Sequence, residues 1–163
     1  MKRHPAPWGK LLIGTSLFAS LICVGVAVLM WSQVGNAEVG PYAAWIALLP
    51  LAVMGISALF MIRGYVVTAD EILIERPLWS TRFARNRLES AVVDPAVLRG
   101  SIRLFGNGGF FSFTGVFQSS KLGRYRAFVT DPARSVILRF TDRVVVVSPA
   151  DPDAFIRDVS NRR

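Results

Sequence analysis

The chain has 163 residues, 52% of them hydrophobic, and its 19 Lys and Arg exceed its 11 Asp and Glu to give a net charge of +8. One Cys, Cys23, excludes an intrachain disulfide, and one His, His4, argues against a metal or catalytic site built on histidine. No charged residue lies between Lys10 and Glu38 or between Glu38 and Arg63, so the composition divides the chain into a lipid-like and a soluble-like part.

Two apolar segments, 11–31 and 42–62, are each long enough to cross a bilayer as a helix. A hydrocarbon core about 30 Å thick requires about 20 apolar residues in helical form. LLIGTSLFASLICVGVAVLMW and YAAWIALLPLAVMGISALFMI both meet that length. The short sequence between them, SQVGNAEVGP, is rich in turn-forming Gly, Asn and Pro. We therefore predict a transmembrane helical hairpin over residues 11–62.

Basic residues at the ends of the segments predict the orientation. Three precede the first segment and one follows the second: Lys2, Arg3, Lys10 and Arg63. The connecting loop carries only Glu38, and Lys and Arg near helix ends are retained on the cytoplasmic side. We predict a multi-pass protein of the cytoplasmic (inner) membrane with both termini cytoplasmic. A cleaved signal peptide is the alternative for the first segment, although its apolar run exceeds the roughly 7 to 15 residues of a signal.

Small residues recur every four positions in both segments: Ala19, Cys23 and Ala27 in the first, Ala43 and Ala47 in the second. Such ridges let two helix backbones approach closely in a membrane. The alternative is that alanine is simply common in membrane helices.

After Arg63 the hydrophobic pattern changes to the two-residue alternation of β-strands. Predicted strands cover residues 65–68, 71–76, 80–85, 88–93, 135–141 and 144–147. Their spacing predicts a meander of short antiparallel strands. The domain organisation is then a cytoplasmic basic tail over 1–10, the hairpin over 11–62 and a β domain over 63–163.

A short helix is predicted to end the β domain. Asp151 can cap its first turn, and Pro152 suits the first helical position. Phe155 and Val159 lie one turn apart on the same face and can close one opening of the β structure.

The segment 103–115, RLFGNGGFFSFTG, has four glycines among four phenylalanines. This composition indicates close backbone approaches beside packed aromatic rings, either in a tightly curved strand or in a mobile loop. A phosphate-binding loop requires a preceding strand and a following helix, and that context is missing.

The order of these features resembles the bacterial pleckstrin-homology-like (PH-like) domain family over about 64–159. The matching positions are Tyr65, Glu71, Ile72, Leu88, Val92, Arg103, Gly106 to Gly109, Gly115, Phe117, Gly123, Tyr125, Thr130, Ser148, Pro149 and Phe155. The resemblance implies a PH-like barrel or sandwich of about seven antiparallel strands in two nearly orthogonal sheets, capped by a C-terminal helix. It also implies preceding membrane helices and no established catalytic activity. Eukaryotic relatives often bind phosphoinositides, but the turn Ala69-Asp70-Glu71 is tight and acidic where a basic loop would be expected.

The residue types argue against catalysis. With one His in a polar tail and one Cys in a membrane segment, only carboxylates remain as acid or base candidates. Asp131, Asp142, Asp151 and Asp153 all lie beside turns or a helix start, where capping and solvation explain them. We predict no enzyme, no cofactor and no metal.

Basic residues of the β domain form the predicted contact surface for membrane or partner: Arg82, Arg85, Arg87, Arg99, Arg103, Lys121, Arg124 and Arg126. No linker separates the second helix from the first strand, so these side chains are expected near the headgroups. Each cation near an anionic leaflet contributes about 1 kcal/mol. The alternative is a solvated basic face without a ligand. Nucleic acid is not an expected partner, because the domain is fixed to a membrane and no recognition helix is predicted in it.

The resulting functional hypothesis is a non-enzymatic, membrane-anchored binding or scaffold module at the cytoplasmic membrane surface. Its expected partners are the lipid bilayer with its anionic headgroups, and a protein partner or further copies of the chain. The alternative is a structural subunit of a homo-oligomeric membrane assembly without a separate ligand.

Overall fold

The structure, a computed structural model, describes residues 1–36 and 40–161. The helices are α1 (Lys10–Trp31), α2 (Gly40–Leu59) and α3 (Pro152–Ser160). The strands are β1 (Lys2–Pro5), β2 (Gly64–Val67), β3 (Glu71–Glu75), β4 (Ser80–Ala84), β5 (Leu88–Val93), β6 (Ile102–Gly108), β7 (Phe113–Ser119), β8 (Gly123–Val129), β9 (Val136–Phe140) and β10 (Val144–Val147). Glu38, on which the predicted orientation partly depends, and the last two residues of the predicted β domain lie outside the described residues.

Helices α1 and α2 pack against each other and expose most of their apolar side chains. Both are long and apolar enough to cross a membrane. Ala27, Ala43 and Ala47 are buried, while Ala19 and Cys23 are half-buried. The small residues predicted to allow close approach are thus less exposed than the Leu, Ile and Phe side chains that point outward. A core helix of a soluble protein would show the opposite distribution, with its large apolar residues inside.

The six predicted strands are confirmed to within one residue at each end, as β2, β3, β4, β5, β9 and β10. The first sheet has the order β1-β2-β3-β4, with antiparallel neighbours throughout. The segment between β5 and β9 supplies three more strands, so the described part of the β domain has nine strands, where about seven were expected. The PH-like β architecture with a C-terminal helix is confirmed.

Strand β1 differs from the prediction that residues 1–10 form a separate basic tail. It pairs with β2, with Lys2 opposite Val67 and Pro5 opposite Gly64. The Lys2 ammonium also lies 2.6 Å from the carboxylate of Asp158 in α3. The N-terminal segment therefore completes the first sheet of the β domain. Pairing satisfies backbone groups that the β2 edge would otherwise expose.

The second sheet has the order β5-β9-β10-β8-β7-β6. Strand β10 is antiparallel to β9 but parallel to β8, with Val145 opposite Arg126. The prediction of a purely antiparallel meander is therefore wrong at this pair. Because β9 pairs with β5, the β9–β10 hairpin is placed in the sheet with its second strand beside β8. That crossover produces one parallel neighbour.

Helix α3 closes the core between the sheets as predicted. The Asp151 carboxylate accepts a hydrogen bond from the backbone N–H of Ala154 at 2.9 Å, which caps the first turn. Phe155 and Val159 are buried in the main hydrophobic cluster. Beside them the Tyr65 hydroxyl donates to the carbonyl of Phe128 at 2.7 Å, and burial raises the pKa of Tyr65 to about 12.

Candidate functional site

The β domain has two ends, which we name by their position relative to α1 and α2. The helix-proximal end lies beside these two helices, and the distal end is opposite. Strand β2 starts just after α2 and runs away from it, so the β2–β3 turn (68–70) marks the distal end. Strand β3 returns, and the β3–β4 turn (76–79) lies beside the end of α2, where the rings of Phe60 and Trp79 are 5.2 Å apart. The β6–β7 turn (109–112) is also at the helix-proximal end.

The β6–β7 turn docks on α1. The Thr15 hydroxyl donates to the carbonyl of Gly109 at 2.7 Å, and the N–H of Phe111 donates to the Ser16 hydroxyl at 2.9 Å. These contacts explain two of the few polar residues in α1. Gly109 has φ +120°, and a Cβ there would lie 3.2 Å from the Thr15 oxygen, so the turn requires a glycine.

The same turn also reaches α2. The hydroxyl of Ser112 donates to the carbonyl of Phe60 at 3.2 Å. The glycine-phenylalanine segment, for which a curved strand and a mobile loop were both open, is a hairpin whose turn is bonded to both helices. The β domain is thus fixed to the helix pair through β1, through the β2 connection, through this turn and through the β3–β4 turn.

Of the predicted contact residues, Arg85 is not available to lipid or partner. Its side chain is 8% exposed at the distal end. The guanidinium donates to the carbonyls of Thr68 and Val159, each at 3.0 Å, and to those of Asp158 at 2.7 Å and Asn161 at 2.6 Å. Arg85 therefore holds the end of α3 to the first sheet, which corrects its assignment to the contact surface.

Four other predicted cations are exposed and lie away from the helices: Arg82, Arg87, Lys121 and Arg124. Arg82 is 3.8 Å from Glu71. Arg87, at the distal end, is 3.9 Å from Asp142. Lys121 and Arg124 flank the β7–β8 turn, separated from the docked turn by the length of β7, roughly 20 Å at the usual rise per residue. The expectation that all eight cations lie together near the helix ends does not hold.

Arg99 and Arg103 meet at a cavity of about 1010 Å³ beside the start of α1, here called the α1 cavity. Lys10, the first residue of α1, also lines it. The carboxylate among its lining residues is that of Asp131, which is 3.3 Å from Arg134. The α1 cavity therefore brings together three cations from separate parts of the fold. Lys10 is in α1, Arg103 is in β6, and Arg99 lies in the segment between β5 and β6.

The remaining predicted cation, Arg126, lines a second cavity of about 650 Å³ at the end of α2, here called the α2 cavity. Arg76 lines it too, and its guanidinium carbon lies 5.5 Å from the ring centres of Phe60 and Trp79. The same carbon is 5.4 Å from the centre of the Phe128 ring, and that of Arg126 is 5.5 Å from it. Two guanidinium groups thus share one aromatic-walled cavity.

Arg76 is the functional candidate that the sequence analysis missed. It is 8% exposed, and its Nε has no hydrogen-bond partner among residues 1–36 and 40–161. Burial, together with the charge of Arg126, lowers the pKa of Arg76. The available signal was the turn Arg76-Pro77-Leu78-Trp79, which places a cation and a tryptophan beside the end of the second apolar segment.

A family model for the bacterial PH domain matches residues 63–163. The chain belongs to the bacterial PH domain family. Curated proteins yielded no match to the chain, and neither did solved structures. PH domains are generally binding modules without catalytic activity. Within the described ranges of this bacterial PH domain protein, no group of three or more His, Cys, Asp or Glu could hold a metal ion.

Proposed function

We propose that this bacterial PH domain protein is a non-enzymatic, membrane-anchored binding or scaffold module. Helices α1 and α2 cross the inner membrane as a hairpin, and the β domain lies on its cytoplasmic surface. The observation that carries the proposal is the ion pair between Lys2 and Asp158, at 2.6 Å. It joins the strand before α1 to the helix at the end of the β domain.

That contact supports a multi-pass topology, because β1 and α3 must lie on the same side of any membrane. Two crossings return the chain to the side on which it started, whereas one crossing does not. Lys2, Arg3, Lys10 and Arg63 favour the cytoplasm for that side. Cleavage after the first segment would remove β1 together with α1 and leave the β2 edge open, which favours an uncleaved helix.

The contact surface for anionic headgroups is proposed to be narrower than the predicted set of eight. It comprises the cations at the two cavities beside the helix ends: Lys10, Arg99 and Arg103 at the α1 cavity, Arg76 and Arg126 at the α2 cavity. Each contributes about 1 kcal/mol near an anionic leaflet, and the attraction decays within a Debye length. Arg82, Arg87, Lys121 and Arg124 then face solvent or a protein partner.

Topology reporters test the placement. A reporter that is active only outside the cytoplasm is expected to be silent when fused after Arg163 and active when inserted at Gly35. A cytoplasmic reporter at the same two positions should give the reverse pattern, which controls for expression. An external signal from the fusion after Arg163 would overturn the proposed orientation.

Edge strand β6 favours a second candidate function, a homo-oligomeric structural subunit. Ile102, Leu104 and Phe105 are exposed on this strand, which ends the second sheet. An exposed apolar edge strand is a template for pairing with another chain. A photocrosslinker at Leu104 (49% exposed) should give a ladder of self-adducts in native membranes if copies pair there, and one at Val92 (53% exposed) on the opposite edge is the matched control. Adducts to other proteins alone would favour the binding module.

A further inference from the structure

We propose that the α2 cavity binds one phosphate-bearing amphiphile, with its phosphate on Arg76 and Arg126 and its hydrocarbon chain along the apolar wall formed by α2 and β6. The inference rests on the proposed function, because an α2 that crosses the membrane places the cavity at headgroup depth. It is separate from the β2–β3 turn at the distal end, where the acidic Asp70 and Glu71 lie.

The first argument is uncompensated charge. In the described part of the chain, no carboxylate forms an ion pair with Arg76 or Arg126, and Nε of Arg76 lacks any partner. A buried charge is costly unless it is paired and hydrogen-bonded. The aromatic rings contact the faces of the Arg76 guanidinium and offset part of the cost of burying its charge. They supply no acceptor for its in-plane N–H donors. An anion inside the cavity would supply that acceptor.

The second argument is the match between guanidinium and phosphate. A guanidinium presents its N–H donors in a planar fork that binds two oxygens of a phosphate at once. Both guanidinium carbons lie within 5.5 Å of the Phe128 ring centre, and both side chains line the same cavity. A phosphate group has enough oxygens to accept from two such forks.

The third argument concerns the apolar wall, which a free phosphate would leave unused. Ile56 and Phe60 at the end of α2 line the cavity together with Phe105 on β6, a residue that is 78% exposed. A cavity of about 650 Å³ is in the range of single-ligand pockets, about 300–1,000 Å³. An acyl chain extending from the phosphate toward the bilayer would cover these side chains.

A pair of glycines shapes the same wall. Gly106 on β6 and Gly115 on β7 are opposite each other and have φ +111° and +151°. A Cβ on Gly106 would lie 2.3 Å from the carbonyl oxygen of Thr114. The close approach of the two strands therefore requires glycine, and the lack of side chains keeps that side of the cavity open.

The test uses the full chain in neutral detergent, with Trp79 as the only tryptophan (Trp8→Phe, Trp31→Phe, Trp45→Phe), so that its fluorescence reports on the cavity. Titration with dioctanoyl phosphatidic acid is expected to give a saturable change. Dioctanoylglycerol, which has the same chains without phosphate, and inorganic phosphate, which has no chain, should each bind at least about tenfold more weakly, because each makes only part of the contacts. Equal affinity for inorganic phosphate, or for dioctanoylglycerol, would overturn the assignment to a phosphate-bearing amphiphile.

Two arginine variants test the residues. Arg126→Gln should lower the affinity for phosphatidic acid by about tenfold or more, since it removes charged hydrogen bonds. Arg124→Gln removes the same charge from the same strand outside the cavity, and its affinity should stay within about twofold of the parent. Equal losses in both variants would mean that net charge alone drives binding and would overturn the proposal. Arg126 is exposed, so its variant is expected to fold, and near-ultraviolet circular dichroism checks that.

The outcomes for the cavity and for the proposed function are separable. The expected reporter pattern without saturable binding of phosphatidic acid would overturn this inference and leave the membrane-anchored module in place. Saturable, Arg126-dependent binding with an inverted reporter pattern would support the site while overturning the orientation.

Discussion

Two arginines at opposite ends of the β domain are buried to the same degree but differ in their hydrogen bonding. Arg85 at the distal end and Arg76 at the helix-proximal end are both 8% exposed. The guanidinium of Arg85 donates to the carbonyls of five residues in the turn after β2 and at the end of α3. Arg76 is surrounded by aromatic rings, and its Nε has no partner among the described residues. Buried polar groups are normally hydrogen-bonded, so the exception at Arg76 is the informative one.

The contrast extends to the surroundings of each arginine. At the distal end, α3, β1 and the β2–β3 turn meet in a closed network of hydrogen bonds and ion pairs. At the helix-proximal end, the cations line two cavities beside the starts and ends of apolar helices. We infer that the distal end stabilises the fold and that ligand recognition belongs to the helix-proximal end.

Replacing each arginine by methionine tests whether the two side chains have different roles. Arg85→Met should lower the free energy of unfolding by about 3 kcal/mol or more, because several carbonyls lose a charged donor. Arg76→Met should change it by less than about 1 kcal/mol, since the loss of cation–π contacts is offset by removing a desolvated charge. Denaturation of the full chain, followed by circular dichroism, measures both. Equal losses would refute the distinction between a structural and a binding arginine.

Within the helix-proximal end, the docking of the β6–β7 turn on α1 can be tested at its glycine. Gly109→Ala should cost about 2–3 kcal/mol, because φ +120° is nearly closed to alanine and the new methyl group would press on Thr15. Gly100→Ala is the matched control, with φ +72° and no atom within 4 Å of a Cβ, and should cost about 1 kcal/mol. A Gly109 variant as stable as the Gly100 variant would show that the turn is not tightly held on α1.

The elements that the sequence predicted well are those with local signals. Strand β9 shows the two-residue alternation, and β10 is a continuous run of valines. Helix α3 is preceded by the capping residue Asp151 and starts with Pro152. Each of these elements could be recognised from a few neighbouring positions. Strand β1 has no such signal, because KRHP lacks apolar alternation and its partner lies some 60 positions later. The parallel β8–β10 pair also lacks a local signal, because β9 lies between its two strands in the sequence.

The roles of the arginines were the least predictable part. In sequence, Arg76 and Arg85 are each the last residue of a predicted strand and look alike. Arg85 is fixed by residues at the end of α3, and Arg76 is enclosed by Phe60 before the domain and Phe128 within β8. Only the fold brings these groups together. A prediction from the charge pattern alone therefore assigned Arg85 to the contact surface and left out Arg76.

The smallest expected effect concerns pH at the distal end, where β1 meets α3. A hydrogen bond from Lys2 lowers the pKa of Asp158 below its ordinary value of 3.8, and the charges of Lys2 and His4 add to this. A carboxylate with a lowered pKa in the folded state contributes stability above its ordinary pKa, and this contribution is lost as the pH falls through the folded-state value. The thermal midpoint of the parent chain should therefore exceed that of Asp158→Asn at pH 6, and the difference should shrink as the pH falls below 3.8. Asp70→Asn, at an exposed turn position, is the matched control for the removal of one carboxylate. Because the Lys2 side chain is largely exposed, the difference should also be greatest at low ionic strength. A difference that persists unchanged at pH 3 would mean that Asp158 acts through its neutral hydrogen bonds, and that the distal end is not held by charge.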